Sequence, residues 1–207
     1  MQLDRFSFKS DLLQGDIESI FDLFDELTRY ELNCEAQKSG RHSHIDMAIY
    51  ESLVLRKWQQ ARSDAGSYPI YSRYLKDYRE FDNNDYLDLS NEIEDKGLFL
   101  SSEQILFRGS VTGERGFDWK RPLSTTLHPR IAAYHAHKHW REFSSIPPIT
   151  IPAIVLPSDK RLRAIIGPFG EGVEFGHEYE VLINFDQPPK NIESRKNHNI
   201  SYEILSW

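Results

Sequence analysis

The stretch GHEYEVLI, Gly176–Ile183, decides how this chain is read, because Glu178 and Glu180 stand two residues apart at the head of an apolar run. In a β-strand successive side chains point to opposite faces, so residues i and i+2 share one. The spacing therefore predicts two carboxylates side by side on one strand face. Acids placed like this can divide the work at a cationic centre: one stabilises positive charge while the other takes a proton from an incoming nucleophile. A solvated strand face carries the same pattern, so the meaning of the pair depends on the rest of the chain.

Upstream of this strand, residues 104–109, 122–126, 150–156 and 162–166 read as further short strands, and 179–185, 191–193 and 200–205 complete the set. Each is bounded by Gly, Pro, Asn or Asp. One helix interrupts them at about 128–143, with Pro129 in its first turn. The first hundred residues are patterned differently. Leu13, Ile17, Ile20, Phe21, Phe24 and Leu27 recur mostly at spacings of three and four and predict an amphipathic helix over about 10–35. A second helix is expected over about 43–65, with Ile45, Ile49, Leu53, Leu55 and Trp58 inward, followed by shorter ones at about 71–81 and 84–96. Gly97 ends the last of them. Helices followed by crowded strands predict an α+β fold: one domain over 1–207, with a helical part at 1–100 packed on a two-sheet β-sandwich at 101–207.

A single cysteine, Cys34, among 207 residues excludes an intramolecular disulfide and a thiolate metal cluster, which fits a reducing compartment. No run approaches 18 apolar residues and the first residues resemble no targeting segment, so the expectation is a cytoplasmic protein with no membrane partner. The net charge of -7 conceals a segregation. Residues 1–107 carry 12 Lys/Arg against 21 Asp/Glu, residues 108–165 carry 10 against 4, and residues 166–207 carry 3 against 7. The basic middle also holds His128, His135, His137 and His139. It reads either as a surface for an anionic ligand or as a solvated basic face.

Three elements within that middle carry chemistry. Arg108 ends the apolar run Ile105-Leu-Phe and is followed by Gly109. A planar guanidinium suits a pyrophosphate or carboxylate, and a glycine admits close approach of a ligand to the backbone. A structural ion pair would use Arg108 equally well. Ser124, Thr125 and Thr126 close the next strand before the helix. Such hydroxyls cap helix starts, or else fix the rotamer of a carboxylate or hold a sugar hydroxyl. On the helix itself, Ala132 and Ala133 precede Tyr134, an aromatic for the core or a stacking platform for a planar ring.

Taken in order, Leu106-Phe-Arg108-Gly, Leu123-Ser124-Thr-Thr126, Ala132-Ala-Tyr134 and Glu178-Tyr-Glu180-Val-Leu resemble the bacterial and bacteriophage mono-ADP-ribosyltransferases of the Arg-Ser-Glu class, over about residues 104–185. The resemblance implies a sandwich of the ADP-ribosyltransferase type and an enzyme that uses NAD as substrate, without a metal. It implies that Arg108 orients NAD through its phosphates, with Gly109, Ser124, Thr125 and Thr126 lining the same site. Ser124 would position the catalytic Glu180, Tyr134 would stack near the nicotinamide, and Glu178 would activate the acceptor. Thr126 stands where the family usually has Ser, and Tyr134 where Phe is more typical; both exchanges are chemically mild.

Gly167-Pro-Phe-Gly-Glu-Gly-Val-Glu-Phe-Gly-His177 corresponds to the family's substrate-recognising loop, with Phe169, Glu174 and Phe175 as its contacts. Glu at position 178 goes within the family with arginine acceptors, so transfer of ADP-ribose to a protein arginine is the first expectation, in the manner of a toxin or effector. The basic stretch with Trp119, Tyr134 and Trp140 interleaved keeps RNA or DNA bases as a second acceptor class. A non-catalytic binding module of the same fold is the third reading. The acidic helical part would suit a basic partner such as an antitoxin or immunity protein.

Overall fold

The computed structural model describes residues 2–4, 52–111, 120–140, 149–156, 158–159, 161–168, 178–185, 187–197 and 200–206. The helix expected over 10–35, Cys34, the start of the second helix, Trp119 and the loop positions Phe169, Glu174 and Phe175 lie outside the described residues.

Helix α1, Leu53–Asp64, starts where the extended Ser52 turns its hydroxyl onto the amide of Val54, 3.2 Å away. An extended residue cannot sit inside a helix, so this cap replaces the continuous helix expected over 43–65. It also reverses one expected position: Leu53 is 70% exposed, whereas Leu55 and Trp58 are buried as expected. The Trp58 indole donates to the carbonyl of Asp4 at 2.8 Å and ties residues 2–4 to α1. Helix α2, Pro69–Asp77, runs into a 3-10 turn, Tyr78–Glu80. Helix α3, Asn83–Lys96, opens on a capping box in which Asp82 and Asp85 each accept the other's backbone amide.

Among the described residues nine strands follow: β1 (Leu98–Phe99), β2 (Ile105–Phe107), β3 (Ser110–Val111), β4 (Leu123–Thr126), β5 (Ile149–Val155), β6 (Arg163–Ile166), β7 (Glu180–Ile183), β8 (Lys190–Asn197) and β9 (Ile200–Ser206). Helix α4, Pro129–Trp140, lies between β4 and β5. The two-residue strands β1 and β3 are too short to leave a periodic signal. Strand β8 runs well past its expected 191–193 because pairing with β9 supplies its hydrogen bonds while its own sequence, apart from Ile192, is polar.

The sheet is mixed, in the order β1-β6-β7-β4-β2-β5-β9-β8, with β3 also on β5. Among the described strands β5 and β9 pair in parallel and the other ladders are antiparallel, and Gln2 adds an isolated parallel bridge to Phe99 of β1. Its two arms meet at β2, whose link to β4 is the single registered pair Phe107 and Thr126. Side chains of β6 and β7 alternate between two cores. Ala164, Ile166, Val181 and Ile183 join a large core with Phe107, Ile151, Ala153 and Ile204 of the other arm. Ile165 and Leu182 face the opposite way, onto Tyr68 and Tyr71 of the α2 end and Leu89 and Ile93 of α3. Each such aliphatic contributes about 1.5–3 kcal/mol by leaving water. A one-residue slip of β7 would exchange the two sets, so packing on both faces fixes its register. Among the described residues no helix is long and apolar enough to cross a membrane.

Candidate active site

Strand β7 begins at Glu180, and everything that holds this residue comes from elsewhere in the chain. Antiparallel pairing sets Ser124 of β4 opposite Leu182 and Thr126 opposite Glu180. From there the Ser124 hydroxyl donates to Glu180 Oε1. The other oxygen, Oε2, accepts from the Tyr71 hydroxyl at 2.6 Å. The carboxylate is buried, and burial pushes its pKa above the usual glutamate range. Ser124 and Tyr71 oppose that shift by donating to the charged form, Glu178 adds to it through like charge, and Arg108 opposes it through opposite charge.

Arg108 follows β2 and donates to the backbone carbonyl of Ser124, which brings its guanidinium to the same place. Burial pulls its pKa down, while Tyr74, Glu180 and Tyr78 pull it back up. At Gly109 a Cβ would lie 1.8 Å from the carbonyl oxygen of Ala132, so the glycine permits a close approach of α4.

The three hydroxyl residues separate in function. Ser124 reaches Glu180, whereas Thr125 points to the other face and donates to the Val181 carbonyl at 2.5 Å. Its hydroxyl is therefore bound within the ladder between β4 and β7. Thr126 accepts from the His128 amide at 3.0 Å ahead of α4 and donates to the Glu178 carbonyl at 2.7 Å. Tyr134 is 54% exposed on α4, which excludes the core alternative and leaves its ring open to stacking.

Glu178 does not sit beside Glu180 by strand alternation. Tyr179 between them has φ 47°, in the left-handed region, so the regular strand starts only at Glu180. The Glu178 carboxylate instead faces α4, with its Oε1 3.8 Å from His135 Nε2.

Tyr71 is the principal site residue missed by sequence reasoning. It stands on α2, and its spacing with Tyr74 and Tyr78 makes an aromatic stripe down one helix face, the one signal available in the sequence. A second residue positions it. The N-cap of α2, Tyr68, offers no side-chain cap. Buried Glu92 of α3 supplies that cap by accepting the amides of Ile70 at 3.3 Å and Tyr71 at 2.8 Å. Gly167 completes the fit: a Cβ would lie 2.9 Å from the Tyr71 hydroxyl and 3.1 Å from Glu180 Cβ.

Tyr71→Phe removes a donor that favours ionised Glu180. The carboxylate pKa then rises further, so any activity that needs the anion loses its acid limb at a higher pH than in the native protein. A pH profile of the proposed activity checks this. An unmoved acid limb would show that the Tyr71 hydroxyl has no electrostatic role.

No protein-family model matches the chain, and no curated protein is similar to it in sequence. Among solved structures it is similar to the Vis toxin, an ADP-ribosyltransferase from Vibrio splendidus, with TM-score 0.37, 12% identity, and 97% of this chain and 88% of that chain covered. Vis in complex with agmatine gives TM-score 0.40 and 13% identity over 88% of this chain and 84% of that one. Exoenzyme S from Pseudomonas aeruginosa, in complex with human 14-3-3 protein beta and bound to carba-NAD, gives TM-score 0.37 and 16% identity over 87% of this chain and 84% of that one.

Among the described residues no group of three or more His, Cys, Asp or Glu could hold a metal ion. What the cluster offers is a buried carboxyl group, Glu180, with both oxygens held, a guanidinium beside it, and a second acid, Glu178, that is partly exposed. Such a set can stabilise a developing cation and, separately, accept a proton.

Proposed function

We propose that this protein is a mono-ADP-ribosyltransferase that cleaves NAD at the bond between nicotinamide and ribose and transfers ADP-ribose to an acceptor, first of all a protein arginine. The observation that carries the reading is Glu180, buried and clamped by Ser124 and Tyr71 next to Arg108. Loss of nicotinamide leaves an oxocarbenium-like cation, and an anion fixed in a low-dielectric site stabilises it without reorganising. Arg108 supplies the fork for the phosphates of the substrate. Tyr134, exposed on α4, is available to stack on a planar ring. We read the sheet as two packed layers that meet at the Phe107–Thr126 pair, a reading supported by the core shared between the arms.

An arginine acceptor must lose a proton before it attacks, since its pKa exceeds about 12. Glu178 at the rim is the base for that step. The nucleic-acid alternative rested on the basic stretch, and two of its members are engaged within the fold. Arg121 lies 4.5 Å over the Tyr86 ring and donates to Asn83, while Arg163 donates to the Gly97 carbonyl and covers Phe99. A role as toxin or effector accords with such an activity.

Incubation with labelled NAD and a cell lysate, followed by separate protease and nuclease digestion, tests the assignment. Protease-sensitive label is the expected result. Nuclease-sensitive label would move the acceptor to nucleic acid, and intact NAD without label would favour a binding module.

A further inference from the structure

Glu178 is aimed by a kink rather than by a strand. The left-handed Tyr179, at φ 47°, is an unfavourable backbone for an aromatic residue and is held from several sides. Its carbonyl accepts from the Leu127 amide at 3.2 Å, and its ring stacks on His128 with centroids 6.0 Å apart. On its N-terminal side Thr126 holds the Glu178 carbonyl. This backbone turns the Glu178 side chain away from the strand pattern and onto α4, where it meets the His135 imidazole at 3.8 Å. Both side chains are partly exposed, so each can exchange protons with water and reach an acceptor. His135 is also adjacent in sequence to Tyr134, with the two rings edge-on at 5.7 Å.

We propose that His135 is a positioning and proton-sharing partner of Glu178, so that transfer to the acceptor, unlike cleavage of NAD, is gated by the protonation of this imidazole. The inference rests on the transferase reading above. In the transfer step the acceptor nitrogen donates its lone pair to C1′ of the ribose, and the bond to nicotinamide breaks with its electron pair on the nicotinamide. The acceptor's proton passes to Glu178, then through a water across the 3.8 Å gap to neutral His135 and to solvent. Protonated His135 opposes this, because an imidazolium pairs with the carboxylate and lowers its basicity. His135 from α4 and, through like charge, Glu180 from β7 face Glu178. His128 lies against Tyr179 ahead of α4, and Arg108 acts on Glu180. Glu180 is held differently: its oxygens accept from Ser124 and Tyr71.

The test uses the full chain with arginine methyl ester as acceptor. Transfer and acceptor-free NAD hydrolysis are measured from pH 5.5 to 8.5, and the His135 imidazole is followed by NMR in the native protein and in Glu178→Gln. The ratio of transfer to hydrolysis is expected to rise through one proton step in the range of an imidazole, roughly pH 6.5. In His135→Gln that step disappears and the ratio at neutral pH falls by about 10- to 100-fold. In Glu178→Gln the His135 midpoint moves down, because the imidazolium has lost its anion. A ratio in His135→Gln that keeps the native pH step overturns the gating, and an unmoved His135 midpoint overturns the pairing. A native protein inert toward NAD would instead overturn the transferase reading, with the NMR titration still deciding the pair.

Discussion

Glu180→Gln is expected to leave the protein folded and to remove both NAD cleavage and ADP-ribose transfer, by about 10³-fold or more in nicotinamide release. The exchange keeps the size of the side chain and deletes its charge, and the new amide NH2 donates to the Ser124 or Tyr71 hydroxyl oxygen in place of accepting from it. In the proposed reaction that charge faces the oxocarbenium-like cation, whereas the nearby buried acid, Glu92, is taken up in capping α2. Stability should move in the opposite direction to activity. Burial raises the Glu180 pKa, so in the folded state ionisation is penalised relative to the unfolded chain. That penalty is absent at low pH, where the group is protonated in both states, and grows as pH rises. Glu180→Gln should therefore have a Tm equal to or above that of the native protein near neutral pH, with the difference fading as pH falls. Thermal melts at two pH values and a nicotinamide-release assay check both halves. Release within tenfold of native activity would remove Glu180 from the chemistry.

Glu178→Ala is expected to separate the two reactions. Transfer to a guanidine acceptor should drop by about 10²- to 10⁴-fold, the usual contribution of a general base, while NAD hydrolysis continues. The reason is positional. Glu178 lies before the regular strand, on the far side of the Tyr179 kink, and takes part in none of the hydrogen bonds that hold Glu180. Parallel loss of both reactions would assign Glu178 to NAD itself, and retention of both would show that the acceptor proton leaves by another route.

The strands that build the site were legible in the sequence because each is a short apolar run between turn residues. The positions of Ser124, Arg108 and Glu180 on or beside three of them followed directly. Helix α3 was legible too, since Asp82 and Gly97 mark its ends. Three things were not. Ser52 caps α1 in a stretch where apolar periodicity continues across it, so the pattern alone predicted one longer helix. Nor did the pattern show that Gly109 meets the backbone of α4 and Thr125 the backbone of β7. A sequence records that a glycine or hydroxyl is present but not which neighbour occupies the space beside it.

By itself the sequence determined the α+β order of elements, the alternation that buries both faces of β7, and the residue types able to hold and stabilise charge. Only the tertiary structure decided who holds Glu180 and where Glu178 points. The Tyr71 hydroxyl reaches across 109 positions of chain to Glu180 Oε2 because Glu92 caps α2 and Leu182 seats that helix on the sheet. Glu178 leaves the common face because Tyr179 takes up a left-handed backbone that contacts with Leu127 and His128 sustain. Both outcomes depend on contacts between residues far apart in the chain, and local periodicity carries no information about those.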